Sequence, residues 1–198
     1  MPWLQLDREA VLGYQSKKMQ ADARNVTQVK AARSQIEMLQ RAHKWARLPK
    51  REHGAELDQL AIDPEGRLVL IEMKYARASS SSVFYAPLQL LQYVYEWHQA
   101  LDAVREGLDA LREARISAGL SPMSIPKLSG SLRPVLAFGA IDYSPKVEHR
   151  LDQVLKIVNE HLPEGVSSIE LWALRNGVAE CLSSSKDSVK PQSKNVSC

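Results

Sequence analysis

The sequence has no long apolar segment. None of its 198 residues belongs to a run of about 18 apolar residues, the shortest length that usually crosses a bilayer. Residues 1–18 also lack the basic and then apolar order of an export signal. We therefore expect a soluble, cytoplasmic protein with no membrane partner.

Cysteine is also scarce. The two cysteines, Cys181 and Cys198, do not have the spacing of a metal site. Cys198 ends a polar segment, residues 183–198, whose composition predicts a disordered tail. The five histidines show no recurring ligand spacing and are expected to lie on the surface or in structural contacts. Neither a disulfide nor a zinc site is predicted.

The chain length suits one domain, which we place at residues 1–182. Its charge is unevenly distributed, because residues 8–51 hold eleven Lys or Arg and three acids, a net charge of +8, whereas the remainder carries −5. A basic segment of this kind is typical of a surface that binds phosphates. The alternative is a solvated helix rich in Lys and Arg.

Hydrophobic periodicity predicts alternating helices and strands. Apolar residues at three- and four-residue steps indicate helices, and short apolar runs bounded by Gly or Pro indicate strands. This order predicts an α/β domain with a mixed sheet. The predicted elements are an amphipathic helix at about 26–46, a hairpin at about 56–75, a long helix from Pro87 to near Gly119, a buried strand at 133–141, a helix at 145–162, and a strand or strand pair at 167–182.

The hairpin turn has the sequence Asp-Pro-Glu-Gly. Asp63 suits the first position of a type I turn, Pro64 supplies its fixed φ, and Gly66 suits a left-handed bulge. If Asp63 closes against Arg67, the register of the two strands is fixed. The opposed pairs are then Ile62 with Leu68, Leu60 with Leu70, Asp58 with Glu72, and Glu56 with Lys74.

This register places two carboxylates opposite each other, with a lysine two residues along the same face. Opposed like charges destabilise a sheet, but a divalent cation between them would reverse the effect. Mg²⁺ or Mn²⁺ binds through one or two carboxylates and substrate phosphate. Lys74 would then orient a water nucleophile and stabilise developing charge, which predicts phosphodiester hydrolysis. The alternative is a surface hairpin in which Glu56 pairs with Lys74 and the acids point to water.

These residues resemble the PD-(D/E)XK nuclease superfamily. Asp58 matches the first acid, and Glu72, Met73 and Lys74 match the E-x-K element. The resemblance implies a restriction-endonuclease-like fold with an αβββαβ order over about residues 26–142. It also implies metal-dependent cleavage of DNA, with Asp58, Glu72 and the backbone carbonyl of Met73 as metal ligands. The chain departs from the family pattern at Leu57, where a proline is usual.

The superfamily often carries a further acid on the first helix, for which Glu37 is the candidate. The helix after the hairpin carries a second resemblance, to the RecB-like branch of the superfamily. Gln89 and Tyr93 lie one helical turn apart and match the Gln-x-x-x-Tyr motif of that branch. The resemblance implies that Gln89 supports the active site and that Tyr93 lies near the nucleic acid. Arg77 and Ser79–Ser82 could contact phosphates, or form only a flexible connector.

The sequence therefore predicts an Mg²⁺- or Mn²⁺-dependent deoxyribonuclease. Its candidate catalytic residues are Asp58, Glu72, Lys74 and Gln89. Two alternatives stay open, namely a non-catalytic DNA-binding or scaffold protein on the same fold, and a nuclease that acts on RNA. Both a monomer and a homodimer fit the sequence.

Overall fold

The computed structural model describes residues 3–48, 56–75, 78–121, 125–139, 144–175 and 178–182. Within these ranges the chain forms six strands and five helices. In chain order they are β1 (Leu4–Val11), α1 (Lys17–Arg24), α2 (Thr27–Ala42), β2 (Glu56–Ile62), β3 (Leu68–Tyr75), α3 (Ser80–Phe84), α4 (Ala86–Ser117), β4 (Leu132–Gly139), α5 (Pro145–Asn159), β5 (Glu170–Arg175) and β6 (Val178–Cys181).

The strands form one mixed sheet whose spatial order follows the chain, from β1 to β6. β1, β2 and β3 are antiparallel, β4 and β5 run parallel to β3, and β6 returns antiparallel to β5. The predicted α/β class with a mixed sheet is confirmed. The order differs from αβββαβ, because only two strands follow α2 before the next helix. The third antiparallel strand, β1, comes from the N-terminal side of α2.

The predicted turn of the hairpin is confirmed. The Asp63 amide donates to the Arg67 carbonyl at 3.1 Å, and the Gly66 amide donates to the Asp63 carbonyl at 2.9 Å. Gly66 has a φ of +78°. A Cβ atom at this position would lie 2.5 Å from the carbonyl oxygen of Lys127, so both conformation and space require glycine.

The turn sets the register that the sequence predicts for the inner part of the hairpin. Paired residues run from Ile62 with Leu68 outward to Gln59 with Ile71. The predicted pairing of Asp58 with Glu72 is wrong, because in the described strands the pairing of β2 with β3 ends at Gln59 and Ile71. The predicted pairing of Glu56 with Lys74 is also absent from the described strands, and Glu56 pairs instead with Val11 of β1.

The charged residues at the end of β3, Glu72 and Lys74, lie on the face of the sheet that the helices cover. Leu68 and Leu70 belong to the main core, which lies between the sheet and the helices, whereas Val69 and Ile71 belong to a smaller cluster on the other face. All four side chains are buried, as predicted for a central strand. Because side chains alternate along a strand, Glu72 and Lys74 continue the helix-covered face.

The first strand and the first helix were not predicted from the sequence. The register of β1 shifts between Gln5 and Asp7, and Glu9 has a φ of +53°, so apolar side chains do not alternate regularly. Helix α1 has no buried residue and carries no apolar stripe. Its start depends on Ser16, whose hydroxyl accepts a hydrogen bond from the Met19 amide.

Helix α3 was also not predicted, because the serine-rich segment was read as a connector, whereas the remaining helices and strands match their predictions within a few residues. The long helix α4 ends at Ser117, and Gly119 follows with a φ of +72°. The predicted disordered tail and Cys198 lie outside the described residues. No helix in the described part of the chain combines the length and apolar character that a membrane crossing requires.

Candidate active site

The open end of the β2–β3 hairpin brings together four of the predicted site residues, Asp58, Glu72, Met73 and Lys74. Asp58 Oδ2 accepts a hydrogen bond of 2.6 Å from the backbone amide of Met73. Lys74 Nζ donates to Glu72 Oε1. Asp58 is half-buried, so its carboxylate reaches across to β3 at the point where regular strand pairing has ended.

Glu72 is the most unusual side chain of this group. Only 2% of it is exposed, and its Oε2 atom has no hydrogen-bond partner in the described structure. Burial raises the pKa of the Glu72 carboxyl to about 7, the Lys74 ammonium opposes this rise, and the Asp58 carboxylate adds to it. A surface hairpin with acids pointing to water is therefore wrong for Glu72.

Helix α4 covers the lysine. Lys74 Nζ donates to Gln89 Oε1 at 3.2 Å, and Gln89 Nε2 donates to the Tyr93 hydroxyl oxygen at 3.2 Å. Tyr93 is buried, and burial raises its pKa, with further contributions from Glu72 and Asp58. The four-residue spacing places Gln89 and Tyr93 on one helix face, as predicted, and there their side chains form a hydrogen bond.

The same face of α4 continues into a polar cluster that the sequence analysis missed. Glu96 is 3% exposed. Its carboxylate accepts hydrogen bonds from Arg24 Nε at 3.0 Å, from the Tyr14 hydroxyl at 3.1 Å and from Gln92 Nε2 at 3.2 Å. Burial and the nearby Glu96 charge raise the pKa of Tyr14 to about 12. The spacing of Glu96, three residues after Tyr93, was the available sequence signal.

The donor set at the hairpin fits a hard divalent cation. A buried carboxylate oxygen without a partner has lost its hydration and gained no hydrogen bond, and a cation bound there would stabilise it. Asp58 supplies a second carboxylate close by. Among the described residues no cluster of three or more His, Cys, Asp or Glu side chains is placed to hold a metal. A site with two carboxylates suits Mg²⁺ or Mn²⁺, which retain waters and bind substrate phosphate.

Other predicted candidates lie elsewhere. Glu37 on α2 pairs with Arg33 at 3.3 Å and with Arg41 at 3.9 Å, an arrangement typical of a solvated helix surface. The Ser79 hydroxyl accepts from the Ser82 amide and caps α3, so this part of the serine-rich segment is helical. Arg77 lies outside the described residues.

The basic segment is not one uniform surface. Arg24 is engaged by Glu96, and Arg33 and Arg41 are paired with Glu37. Beyond the end of α2, however, the chain lines an open cavity of about 430 Å³ together with α5. The residues that line it are His43, Lys44, Trp45, Lys146, His149, Arg150 and Gln153.

A second charged group lies near the hairpin turn, at the opposite edge of the sheet. Arg133 NH1 donates to Asp63 Oδ2 at 3.0 Å, and its other guanidinium nitrogens donate to Glu170 at 2.8 and 2.9 Å. Arg67 Nε also donates to Asp63 Oδ2, at 2.7 Å. These contacts join the hairpin to β4 and β5, so we assign them a structural role.

Comparison with known proteins provides no relative for this arrangement, because no family model, no curated protein and no solved structure matches the chain.

Proposed function

We propose that this protein is a metal-dependent nuclease that hydrolyses phosphodiester bonds in DNA, of the restriction-endonuclease-like kind. The observation that carries this proposal is that the Oε2 atom of Glu72, which lies near Asp58 and Lys74, is buried and has no hydrogen-bond partner among the described residues. A cation is the group that best compensates such an oxygen. The match to the PD-(D/E)XK pattern and the Gln89 contact support the same function.

Asp58 and Glu72 would hold Mg²⁺ or Mn²⁺, together with the backbone carbonyl of Met73 that the resemblance implies. When bound, such an ion lowers the pKa of a coordinated water and polarises a phosphoryl oxygen. The raised pKa of Glu72 fits a carboxylate that ionises fully when a cation replaces its proton.

Lys74 would supply positive charge next to these ligands. Its hydrogen bonds to Glu72 and Gln89 fix the ammonium on the helix-covered face of β3. In hydrolysis, a water molecule gives up a proton to solvent as its oxygen forms a bond to phosphorus, the bond to the leaving oxygen breaks, and that oxygen takes up a proton from solvent. A held ammonium stabilises the negative charge that develops on the phosphoryl oxygens. Gln89 is a positioning residue that acts through Lys74.

The direct test is a cleavage assay on purified protein with linear, branched and single-stranded DNA, and with RNA of matched sequence. Each substrate is incubated with Mg²⁺, with Mn²⁺ or with a chelator. We expect cleavage of at least one DNA only when a metal is present. Preferential cleavage of RNA would favour the RNA-directed alternative, and metal-independent DNA binding without any cleavage would favour the scaffold alternative.

A further inference from the structure

The cavity between the end of α2 and the start of α5 has no part in the proposed chemistry, yet its lining is strongly basic. Lys44, Lys146 and Arg150 contribute positive charges, and His43 and His149 also line the cavity. In the part of the chain that the structure describes, Lys44, Lys146 and Arg150 form no ion pair with a carboxylate within 4.0 Å. Positive groups gathered without a counter-charge create a potential that attracts anions.

Aromatic rings hold the arginine of this cavity in place. Arg150 Cζ lies 5.4 Å from the centroid of the Trp45 ring and 5.3 Å from that of Phe84. Trp45 itself is only 7% exposed, so its ring forms a floor and is not free to stack on a base. A guanidinium held by rings and not by a carboxylate keeps its donors for an incoming anion.

Lys44 occupies a backbone conformation that usually belongs to glycine. It follows the last residues of α2 and has a φ of +52°. Glycine is the common residue at such a position after a helix, because a side chain there is strained. The chain therefore keeps an exposed lysine where glycine would be more stable.

The fold places this cavity at the same edge of the sheet as the candidate active site. β3 and β4 are parallel, with Lys74 beside Phe138 and Tyr75 beside Gly139. The carboxyl ends of both strands thus lie at one edge. Helix α5 begins at Pro145, six residues after Gly139, so Lys146 and Arg150 lie in its first two turns.

We infer that this cavity is a phosphate-binding subsite, which takes a phosphate group of the nucleic-acid substrate away from the bond that is cut. The inference rests on the proposed function for the nature of its ligand. Phosphate contacts of this kind position a nucleic acid without reading its sequence. The buried Trp45 ring fits that role, since it is not exposed for base stacking.

The test compares two matched double variants of exposed lysines. Lys44→Gly with Lys146→Gln alters the cavity, whereas Lys30→Gln with Lys156→Gln removes the same charge from α2 and α5 outside it. Binding of a fluorescent DNA duplex is measured by anisotropy in chelator over a series of salt concentrations. We expect the cavity variant to lose about two phosphate contacts, so that its slope of log K against log salt falls by about 1.8. The control should retain the wild-type slope.

Two further measurements separate phosphate binding from folding and from general charge. Thermal unfolding should show the cavity variant to be as stable as the wild type or more stable, because Lys44→Gly relieves backbone strain. Inorganic pyrophosphate at millimolar concentration should raise the melting temperature of the wild type and the control, but not that of the cavity variant. A pyrophosphate response without any change in DNA slope would identify a free-phosphate site and overturn the nucleic-acid assignment.

The outcomes distinguish this inference from the proposed function. If the cavity variant and the control lose equal slope, or neither loses any, the subsite is overturned even if the protein cleaves DNA. If the cavity variant alone loses slope but no metal supports cleavage, the subsite stands and the nuclease proposal fails.

Discussion

Lys74 Nζ lies 3.2 Å from Gln89 Oε1, so a side-chain hydrogen bond joins the C-terminal end of strand β3 to the first turn of α4. Lys74 also donates to Glu72. Two fixed acceptors therefore determine where the ammonium lies, and one of them belongs to a different element of the fold. This contact links the E-x-K sequence pattern to the helix that follows it.

The first prediction concerns Gln89 as a positioning residue. Gln89→Ala leaves Lys74 with Glu72 as its described partner, and we expect kcat for DNA cleavage to fall about 10- to 100-fold. KM for DNA and the melting temperature should change little, because the glutamine is expected to contact neither DNA nor a large part of the core. The matched control is Gln92→Ala on the same helix, whose side chain donates to Glu96. Equal loss of kcat in both variants would contradict a role through Lys74.

The second prediction concerns the effect of the Asp58 charge on the stability of the metal-free protein. In metal-free protein the Asp58 carboxylate lies near Glu72 and raises the pKa of that group. Asp58→Asn removes the repulsion and retains an oxygen that can accept from the Met73 amide. The metal-free variant should therefore be as stable as the wild type or more stable.

The same variant should lose the stabilisation that the metal provides. Thermal unfolding with and without Mn²⁺ at several millimolar should show a shift for wild type and for the exposed control Asp152→Asn, but none for Asp58→Asn. The series is repeated with a non-cleavable duplex present, because binding without DNA is expected to be weak. An equal Mn²⁺ shift in Asp58→Asn would remove Asp58 from the metal site.

The third prediction concerns the ion pairs of Arg133. Arg133→Met would leave Glu170 without its guanidinium partner and Asp63 with Arg67 alone. Loss of one partner from a buried pair costs about 3–5 kcal/mol of unfolding free energy. The exposed pair of Arg41 with Glu37 provides the control, and Arg41→Met should cost less than about 1 kcal/mol. Urea unfolding of both variants measures the difference, and similar losses would contradict the structural role.

These ion pairs also predict how stability depends on acid. Burial alone would raise the pKa values of Asp63 and Glu170, but hydrogen bonds outweigh it and lower both, because Arg67 and Arg133 donate to Asp63 and Arg133 and Trp172 donate to Glu170. Because the folded pKa values lie below the ordinary ones of 3.8 and 4.5, this stabilisation is present above about pH 4.5 and is lost as the pH falls further. The acid loss should be smaller in Arg133→Met, whose unfolding free energy should approach that of the wild type as the pH falls.

The part of the fold that was predictable is the part controlled by local chemistry. Asp63, Pro64 and Gly66 specify the turn, and the turn specifies the register from Ile62 to Gln59. Long periodic helices such as α4 were predicted for the same reason. Strand β1 was not, because its bulge and its charged residues hide the alternation that identifies a strand.

The candidate site was predictable only where its residues are close in sequence. Asp58, Glu72 and Lys74 belong to one hairpin, and Gln89 belongs to the next long helix. Their spacing and the resemblance to known motifs were therefore sufficient to select them as candidates. The cavity joins residues more than one hundred positions apart, Lys44 and Lys146, through packing of α2 against α5. Periodicity carries no information about such a contact. The same applies to Tyr14 and Arg24, which reach Glu96 from the N-terminal region.

The most direct test of the proposed nuclease measures cleavage and metal binding in one Lys74→Ala preparation. Lys74 lowers the pKa of Glu72, so its removal favours the protonated carboxyl. Both measurements are therefore made at about pH 8.5, above the raised wild-type pKa of about 7, to favour the ionised Glu72 carboxylate. We expect Mn²⁺ binding near the wild-type level and DNA cleavage reduced at least about 100-fold, because in the proposed mechanism the lysine is not a metal ligand and stabilises the charge that develops on phosphate. Cleavage by Lys74→Ala at the wild-type rate would contradict the account.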